Sequence, residues 1–121
     1  MEKPITLIVG ASPNPERYSH MATLLLKEYG HAIYPFGIKK GMIQEEPILL
    51  DWPKSHTIDT ITLYVGPEGQ KAYYDTLIKL APRRIIFNPG TENPELESLA
   101  KKKGIEAIRA CTLVLLKTGQ Y

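Results

Sequence analysis

The residues best suited to chemistry lie in one stretch, the loop that follows the first apolar run. This loop contains Gly10, Ser12, Arg17, Ser19 and His20. A glycine directly after a strand permits a sharp turn, and a helix that begins behind it offers unpaired N–H groups with positive partial charge. Arg17 adds a guanidinium group that can donate two hydrogen bonds to one phosphate. The pattern predicts a phosphate site; the alternative is an ordinary strand-to-helix loop that holds no ligand.

The surrounding residues argue against a conventional dinucleotide site. Such a site continues G-x-G-x-x-G and places an acidic residue about 20 positions later, against the ribose hydroxyls. Here only Gly10 fits the pattern, and the second predicted strand runs into Tyr34–Gly37, which contains no carboxylate. Lys39 and Lys40 follow, and two cations suit a ribose that carries an additional phosphate better than a free diol. NAD is therefore not the expected ligand.

Candidate nucleophiles, bases and metal ligands are sparse. Ser12 lacks the Gly-x-Ser-x-Gly pattern of an activated serine. Of the three histidines, only His20 falls in the predicted site, where it could act in catalysis, cap the helix or contact the ligand. Cys111 can be a buried apolar residue or a thiol able to form a mixed disulfide. No histidine, cysteine and carboxylate share the spacing of a metal site.

These candidates have to be positioned by short strands that alternate with segments of helical spacing. The predicted strands are 5–9, 31–35, 57–65, 84–87 and 105–110, and the predicted helices begin at Ser19, Gly66 and Asn93. Residues 111–116 fit either a strand or a helix. Such alternation predicts a three-layer α/β sandwich with a mainly parallel five-stranded sheet. Ligands in these sheets bind beyond the carboxyl ends of the strands, where the loops at Gly10, Phe36, Gly66 and Asn88 begin.

Caps and apolar spacing set the expected helix ends and inner faces. Ser19 is expected to cap the first helix and Gly30 to follow its last residue. The apolar positions expected to face the core are Met21, Leu24, Leu25 and Tyr29 in the first helix and Ala72, Tyr73, Leu77 and Leu80 in the second. Three lysines, 101–103, end the third helix, where cations match the helix dipole and favour a solvated end over a phosphate site.

Composition and charge bound the class of protein. The chain has 121 residues, 43% of them hydrophobic and 23% charged, which suits one domain over 1–121. A net charge of +2 is far from that of a dedicated nucleic-acid binder, so an anion site has to be local. The single cysteine favours a reducing compartment, and we expect the cytoplasm. No signal peptide and no apolar run near the roughly 20 residues of a membrane span are visible, so no membrane partner is expected.

These residues resemble a known family, the small stand-alone CoA-binding proteins. Its Rossmann-like fold is similar to the CoA-binding domain of the succinyl-CoA synthetase α subunit. The resemblance extends over nearly the whole chain. The segments that carry it are Val9-Gly10-Ala11-Ser12, Pro15-x-Arg17-x-Ser19-His20, Tyr34-Pro35, Ile58-Asp59-x-Ile61, Asn88-Pro89-Gly90 and Leu99-Ala100-x-x-x-Gly104-Ile105.

The resemblance implies that the ligand is CoA or an acyl-CoA. The residues that it implies around the ligand are Gly10, Ala11, Ser12, Arg17, Ser19, Lys39, Lys40, Gly66 and Pro67. The first loop and the helix start would hold the nucleotide phosphates, and the lysines after the second strand would approach them. Gly66 and Pro67 would form the edge of the site that covers the adenine or the pantetheine arm.

The same resemblance bears on activity. The synthetase reacts through a phosphorylated histidine in a further domain, for which 121 residues leave no room. We therefore expect a ligand-binding or regulatory module without turnover. Two alternatives stay open: a small acyl-CoA- or nucleotide-dependent transferase that uses His20 or Cys111, and a ligand-free structural partner of a separate catalytic subunit. An edge strand or the apolar tail Leu113–Leu116 could pair two copies, or the tail could close the core.

Overall fold

The computed structural model describes residues 4–121, which form seven strands and five α-helices. The strands are β1 (Ile5–Val9), β2 (Ala32–Phe36), β3 (Met42–Ile43), β4 (Glu46–Pro47), β5 (Ile58–Leu63), β6 (Arg84–Phe87) and β7 (Glu106–Arg109). The helices are α1 (Tyr18–Glu28), α2 (Pro67–Gln70), α3 (Tyr74–Lys79), α4 (Pro94–Lys102) and α5 (Thr112–Lys117), with a 3-10 turn at Lys71–Tyr73. Five strands form one parallel sheet in the order β2-β1-β5-β6-β7, which confirms the predicted sheet.

Alternation along β1 divides the molecule into three layers. Leu7 and Val9 point to one face, where they pack into a buried cluster with residues of α3 and α4. Ile8 points to the other face and packs with Leu26 of α1 and Leu116 of α5. Leu7, Ile8 and Val9 have no solvent exposure, and each such side chain contributes about 1.5–3 kcal/mol when it is buried. Helices thus cover both faces of the sheet, and the fold is Rossmann-like as predicted.

The buried face of the first helix matches the expected one only in part. Leu24 and Leu25 pack against the core cluster as predicted, although they are only partly buried. The buried residues of α1 are Ser19, His20, Ala22, Thr23 and Leu26. Met21 and Tyr29, which the apolar spacing placed inside, are 40% and 49% exposed. The cap expected at Ser19 is also wrong, since Arg17 occupies the N-cap position and makes no side-chain cap bond. Small side chains at 19, 22 and 23 let the helix approach the sheet closely, whereas the larger apolar residues would hold it away.

The segment after β5 is less regular than predicted. It consists of α2, the 3-10 turn and α3 rather than one helix. Leu77 and Leu80 are buried as expected, but Ala72 is exposed. Residues 111–116, which fitted either a strand or a helix, are helical: Cys111 is the N-cap of α5 and the other five residues form most of it. Leu116 closes the core, whereas Val114 remains exposed. Across residues 4–121, no helix combines the length and apolarity required to cross a membrane.

The stretch between β2 and β5, which the sequence left undefined, covers the edge of the sheet. It begins with the hairpin β3–β4, which the ion pair Lys27–Glu46 (2.9 Å) attaches to α1. Leu49 then forms a parallel bridge with Phe36, and the Tyr34 hydroxyl donates to the Asp51 carbonyl at 2.6 Å. The Leu49 N–H also donates to the Pro35 carbonyl at 2.8 Å, which occupies a backbone group of β2 that an uncovered edge strand would leave available for aggregation.

The ends of β1 and β2 are held together by unusually close backbone contacts. The N–H groups of Gly10 and Ala11 donate to the Phe36 carbonyl at 3.0 and 2.8 Å. A Cβ atom at Gly37 would lie 2.4 Å from the Ala11 carbonyl oxygen, a distance that real Cβ atoms do not reach. Gly10 itself has a φ of +102°, which favours glycine. Two glycines therefore permit the first loop, which follows β1, to meet the second loop, which follows β2.

We expect Gly37→Ala to lower the free energy of unfolding by about 1–3 kcal/mol, because the added methyl group collides with backbone that cannot move aside. Gly66→Ala is the matched control, since a Cβ at Gly66 meets nothing within 4 Å. Denaturant unfolding of both variants checks this. A Gly37→Ala variant as stable as Gly66→Ala would show that the two loops do not need this approach.

Candidate functional site

A cleft of about 430 Å³ lies beyond the carboxyl ends of β1, β2 and β5. From β1 the chain moves to β2 on one side, whereas β5 lies on the other side, so the cleft lies at the point where the strand order reverses. Open α/β sheets bind ligands at this point. The lining residues are Val9, Gly10, Ala11, Ser12, Pro13, Arg17, Phe36, Gly37, Ile38, Lys39, Tyr64, Val65, Gly69 and Tyr73.

The structure brings some of the predicted contact residues together at this cleft. Those that line it are Gly10, Ala11, Ser12, Arg17 and Lys39. Those that do not line it are Ser19, Lys40, Gly66 and Pro67. Ser19 is buried within α1, whereas the other three are exposed. The part of each residue in binding stays a prediction, but the geometry separates Lys39 from Lys40, which the sequence could not.

The hydrogen-bond donors of the first loop are distributed unevenly. Since the N–H groups of Gly10 and Ala11 both bind Phe36, they shape the floor of the cleft rather than offering free donors. The N–H groups of Ser12, Tyr18 and Ser19 have no hydrogen-bond partner within residues 4–121. Two of these three begin α1, where the helix dipole adds positive partial charge. An anion would therefore be held by the helix start more than by the turn.

His20 holds the first loop against α1. Its Nδ1 lies 2.8 Å from the Ser12 carbonyl oxygen, and because a carbonyl only accepts, Nδ1 carries the proton and donates. The side chain is buried. Within the loop, the Ser12 hydroxyl accepts from the Asn14 N–H at 3.1 Å, and the Asn14 side chain accepts from the Glu16 N–H at 3.0 Å. His20 is thus a positioning residue for the loop.

Positive charge gathers at the cleft without compensation. Arg17 and Lys39 line it, and Lys40 follows directly. All three are exposed, and none forms an ion pair within the described part of the chain. No aspartate or glutamate lines the cleft. The molecule therefore presents a local cationic site despite its small net charge, which suits an anionic ligand.

An aromatic cluster forms and supports one wall of the cleft. The rings of Phe36 and Trp52 stack with centroids 3.8 Å apart, and Tyr73 meets both edge-on at 6.3 and 5.1 Å. Phe36 and Tyr73 line the cleft, whereas Trp52 packs behind them. The sequence did not reveal this wall, because the three residues lie on separate elements and no local pattern connects them.

A second cavity, of about 260 Å³, lies at the same edge of the sheet. Its lining residues are Tyr18, Tyr64, Asn88, Pro89, Cys111 and Leu113. It lies beyond β5, β6 and β7, the strands that precede Tyr64, Asn88 and Cys111. Tyr64 lines both this cavity and the cleft, and Tyr18 follows Arg17 of the cleft directly. The two spaces are neighbours along the carboxyl edge.

Asn88 fixes the backbone at this second cavity. Its amide group donates to the Thr62 hydroxyl at 2.7 Å and to the Leu63 carbonyl at 2.8 Å. Its side-chain oxygen accepts from the Thr112 N–H at 2.8 Å, which anchors the start of α5. The side chain therefore uses its hydrogen-bonding groups within the fold and joins β5, β6 and α5.

Tyr64 is the exception among these polar groups. Its hydroxyl is buried and makes no hydrogen bond within the described residues, although the hydroxyls of Thr62 and Thr112 lie nearby. Burial raises the pKa of Tyr64 to about 12.

Within residues 4–121, no three histidine, cysteine or carboxylate side chains come together as a metal site would require.

Comparison with known proteins identifies the family. A family model described as a CoA binding domain matches residues 5–117. No curated protein matches the chain significantly.

Solved structures share the fold over almost the whole chain. An uncharacterized protein is 42% identical, with a TM-score of 0.94 and 100% of each chain covered. A hypothetical protein from Pyrococcus horikoshii OT3 is 28% identical, with a TM-score of 0.81 over 96% of this chain and 82% of that one. A Thermus thermophilus protein, 20% identical with a TM-score of 0.81, covers 98% of this chain and 91% of its own and shows the fold alone.

We expect Tyr64→Phe to leave stability at neutral pH unchanged or slightly higher, because no hydrogen bond is lost with the hydroxyl. Because the pKa of Tyr64 is raised in the folded state, the unfolded chain ionises at this tyrosine first as the pH rises. The stability that the protonated hydroxyl contributes is therefore complete below about pH 10 and is lost as the pH rises towards about 12. Denaturant unfolding at about pH 8 and about pH 11 should show a smaller alkaline loss in the variant. A variant less stable at neutral pH would indicate that the hydroxyl is bonded.

Proposed function

This chain belongs to the CoA-binding domain family, and from that premise we propose that it binds CoA, with the nucleotide part of the ligand in the cleft beyond β1, β2 and β5. The observation that carries the proposal is that Arg17 and Lys39 line one cleft at the switch point of the sheet with no carboxylate opposite either. CoA offers this cleft three phosphate groups, and a charge-assisted hydrogen bond to phosphate is about twice as strong as a neutral one.

The phosphates have separate partners in this proposal. The pyrophosphate lies at the start of α1, where Arg17 lines the cleft and the N–H groups of Tyr18 and Ser19 in the first turn have no partner within the described residues. The 3′-phosphate of the ribose lies against Lys39, because a cation rather than a carboxylate follows β2 at the place where a free ribose would be bound.

The adenine has an apolar place between two loops. Ile38 lines the cleft and is 84% exposed, so its side chain is accessible to a bound base. Val65 and Tyr73 line the facing side. A planar base between them would cover these three side chains and lie close to the aromatic cluster.

The side chains near the cleft support binding without turnover. His20 donates from Nδ1 to the Ser12 carbonyl, and the Ser12 hydroxyl accepts from the Asn14 N–H. The two side chains are not bonded to each other as a nucleophile and its base would be. We therefore propose a ligand-binding or regulatory module.

Thermal unfolding tests the ligand. CoA at a hundredfold excess over its dissociation constant should raise the melting temperature on the order of 10 °C, since a ligand that binds only the folded state stabilises it by about 2.7 kcal/mol at that ratio. NAD at the same concentration should cause no shift. If CoA at millimolar concentration leaves the midpoint unchanged, the proposal is wrong.

Charge reversal tests the position of the 3′-phosphate. Lys39→Glu should weaken CoA binding at least tenfold by calorimetry, because it turns an attraction into a repulsion, and should affect dephospho-CoA much less. Lys40→Glu is the matched control, with the same charge change one residue away from the lining. Equal losses in both variants, or an equal loss for both ligands, would remove Lys39 from this role.

A further inference from the structure

We infer that the second cavity receives the acyl group of a short-chain acyl-CoA, so that the preferred ligand is an uncharged acyl thioester rather than free CoA. This inference rests on the proposed binding of CoA in the cleft. It names the part of the ligand that would extend beyond the cleft and the space that would receive it.

The position of the cavity supports this assignment. The cleft and the second cavity lie side by side along the carboxyl edge of the sheet, and Tyr64 at the end of β5 is a wall of both. Arg17 lines the first and Tyr18 the second. A ligand whose phosphates lie at Arg17 would reach the second cavity with its thiol end if the pantetheine arm bends over Tyr64 instead of extending away from the sheet edge.

The chemistry of the lining selects an uncharged, apolar group. The rings of Tyr18, Tyr64 and Pro89 and the side chain of Leu113 form most of the wall. Asn88 uses its amide for bonds within the fold, so it offers little to a polar ligand. No charged side chain lines the cavity. An acyl group that ends in a carboxylate would lose its hydration there without gaining a partner.

The size of the cavity limits the length of the chain. At about 30 Å³ for each water-sized group, 260 Å³ accommodates roughly nine heavy atoms. The cysteamine end of the pantetheine arm supplies four of these. About five remain, which corresponds to an acyl group of up to about four carbons with its carbonyl oxygen. Acetyl to butyryl thioesters fit this space, whereas long fatty acyl chains do not.

The test compares CoA, acetyl-CoA, butyryl-CoA and succinyl-CoA by calorimetry with the full chain. Since Cys111 lines the cavity, Cys111→Ser and a reducing buffer exclude disulfide exchange as a source of apparent affinity. Each buried methylene strengthens binding about fourfold, so butyryl-CoA, with two more methylenes, should bind about sixteenfold more tightly than acetyl-CoA and more tightly than CoA. Succinyl-CoA should show no gain over CoA.

Two substitutions at Leu113 locate the acyl group. Leu113→Trp should fill the cavity and abolish the advantage of butyryl-CoA while CoA still binds. Val114→Trp is the matched control, because Val114 is exposed on the same helix and outside the lining. Leu113→Ala should enlarge the cavity and move the preference to hexanoyl-CoA, which keeps the test decisive if the tryptophan variant does not fold.

The outcomes separate the two proposals. If CoA binds and the acyl thioesters bind no more tightly, the acyl site is wrong and CoA binding stands. If Leu113→Ala and Leu113→Trp leave the order of the thioesters unchanged, the acyl group lies elsewhere and the inference is equally overturned. If neither CoA nor any thioester binds, the function proposed for the cleft fails and the acyl site with it.

Discussion

The candidate site depends on one close backbone contact, the meeting of the first and second loops. The Phe36 carbonyl accepts two N–H groups from the first loop, and Gly37 lies against the Ala11 carbonyl. Because backbone meets backbone, the distance between the loops cannot adjust to suit larger side chains. The contact brings Arg17 on one loop and Lys39 on the other to a single cleft. A local cationic site in a chain of net charge +2 follows from this geometry and not from an excess of basic residues.

The rest of the carboxyl edge is held by buried polar side chains. Asn88 joins β5, β6 and α5. Gln70 donates to the carbonyls of Val65 and Thr91, both at 2.8 Å, and accepts from Asn93 at 2.9 Å, so the loops after β5 and β6 are joined as well. Buried polar groups are costly unless they are paired, and these networks are therefore rigid. The loops after β5 and β6 are thereby fixed relative to each other.

The two cavities differ in chemistry in a way that matches one amphipathic ligand. The cleft presents Arg17 and Lys39 to solvent, whereas the second cavity is lined mostly by ring faces and Leu113. Tyr64 lies between them, and its unpaired hydroxyl is buried while its ring contributes to both walls. In the acyl-CoA that we propose as the ligand, the pantetheine arm separates the phosphates from the acyl group. The charged and the apolar surfaces follow each other along the sheet edge in the same order.

The five strands of the parallel sheet could be predicted from local patterns of apolar and β-branched residues. Strands 5–9 and 84–87 were predicted with the bounds that the structure shows, and Gly30 follows α1 with the positive φ expected of it. Which faces and side chains meet depends on the packing of the elements against one another. Met21 and Tyr29 of α1 remain exposed, Trp52 stacks on Phe36, and Lys39 rather than Lys40 lines the cleft. Periodicity records how a side chain is oriented on its own element, whereas these contacts depend on distances between elements that are far apart in the chain.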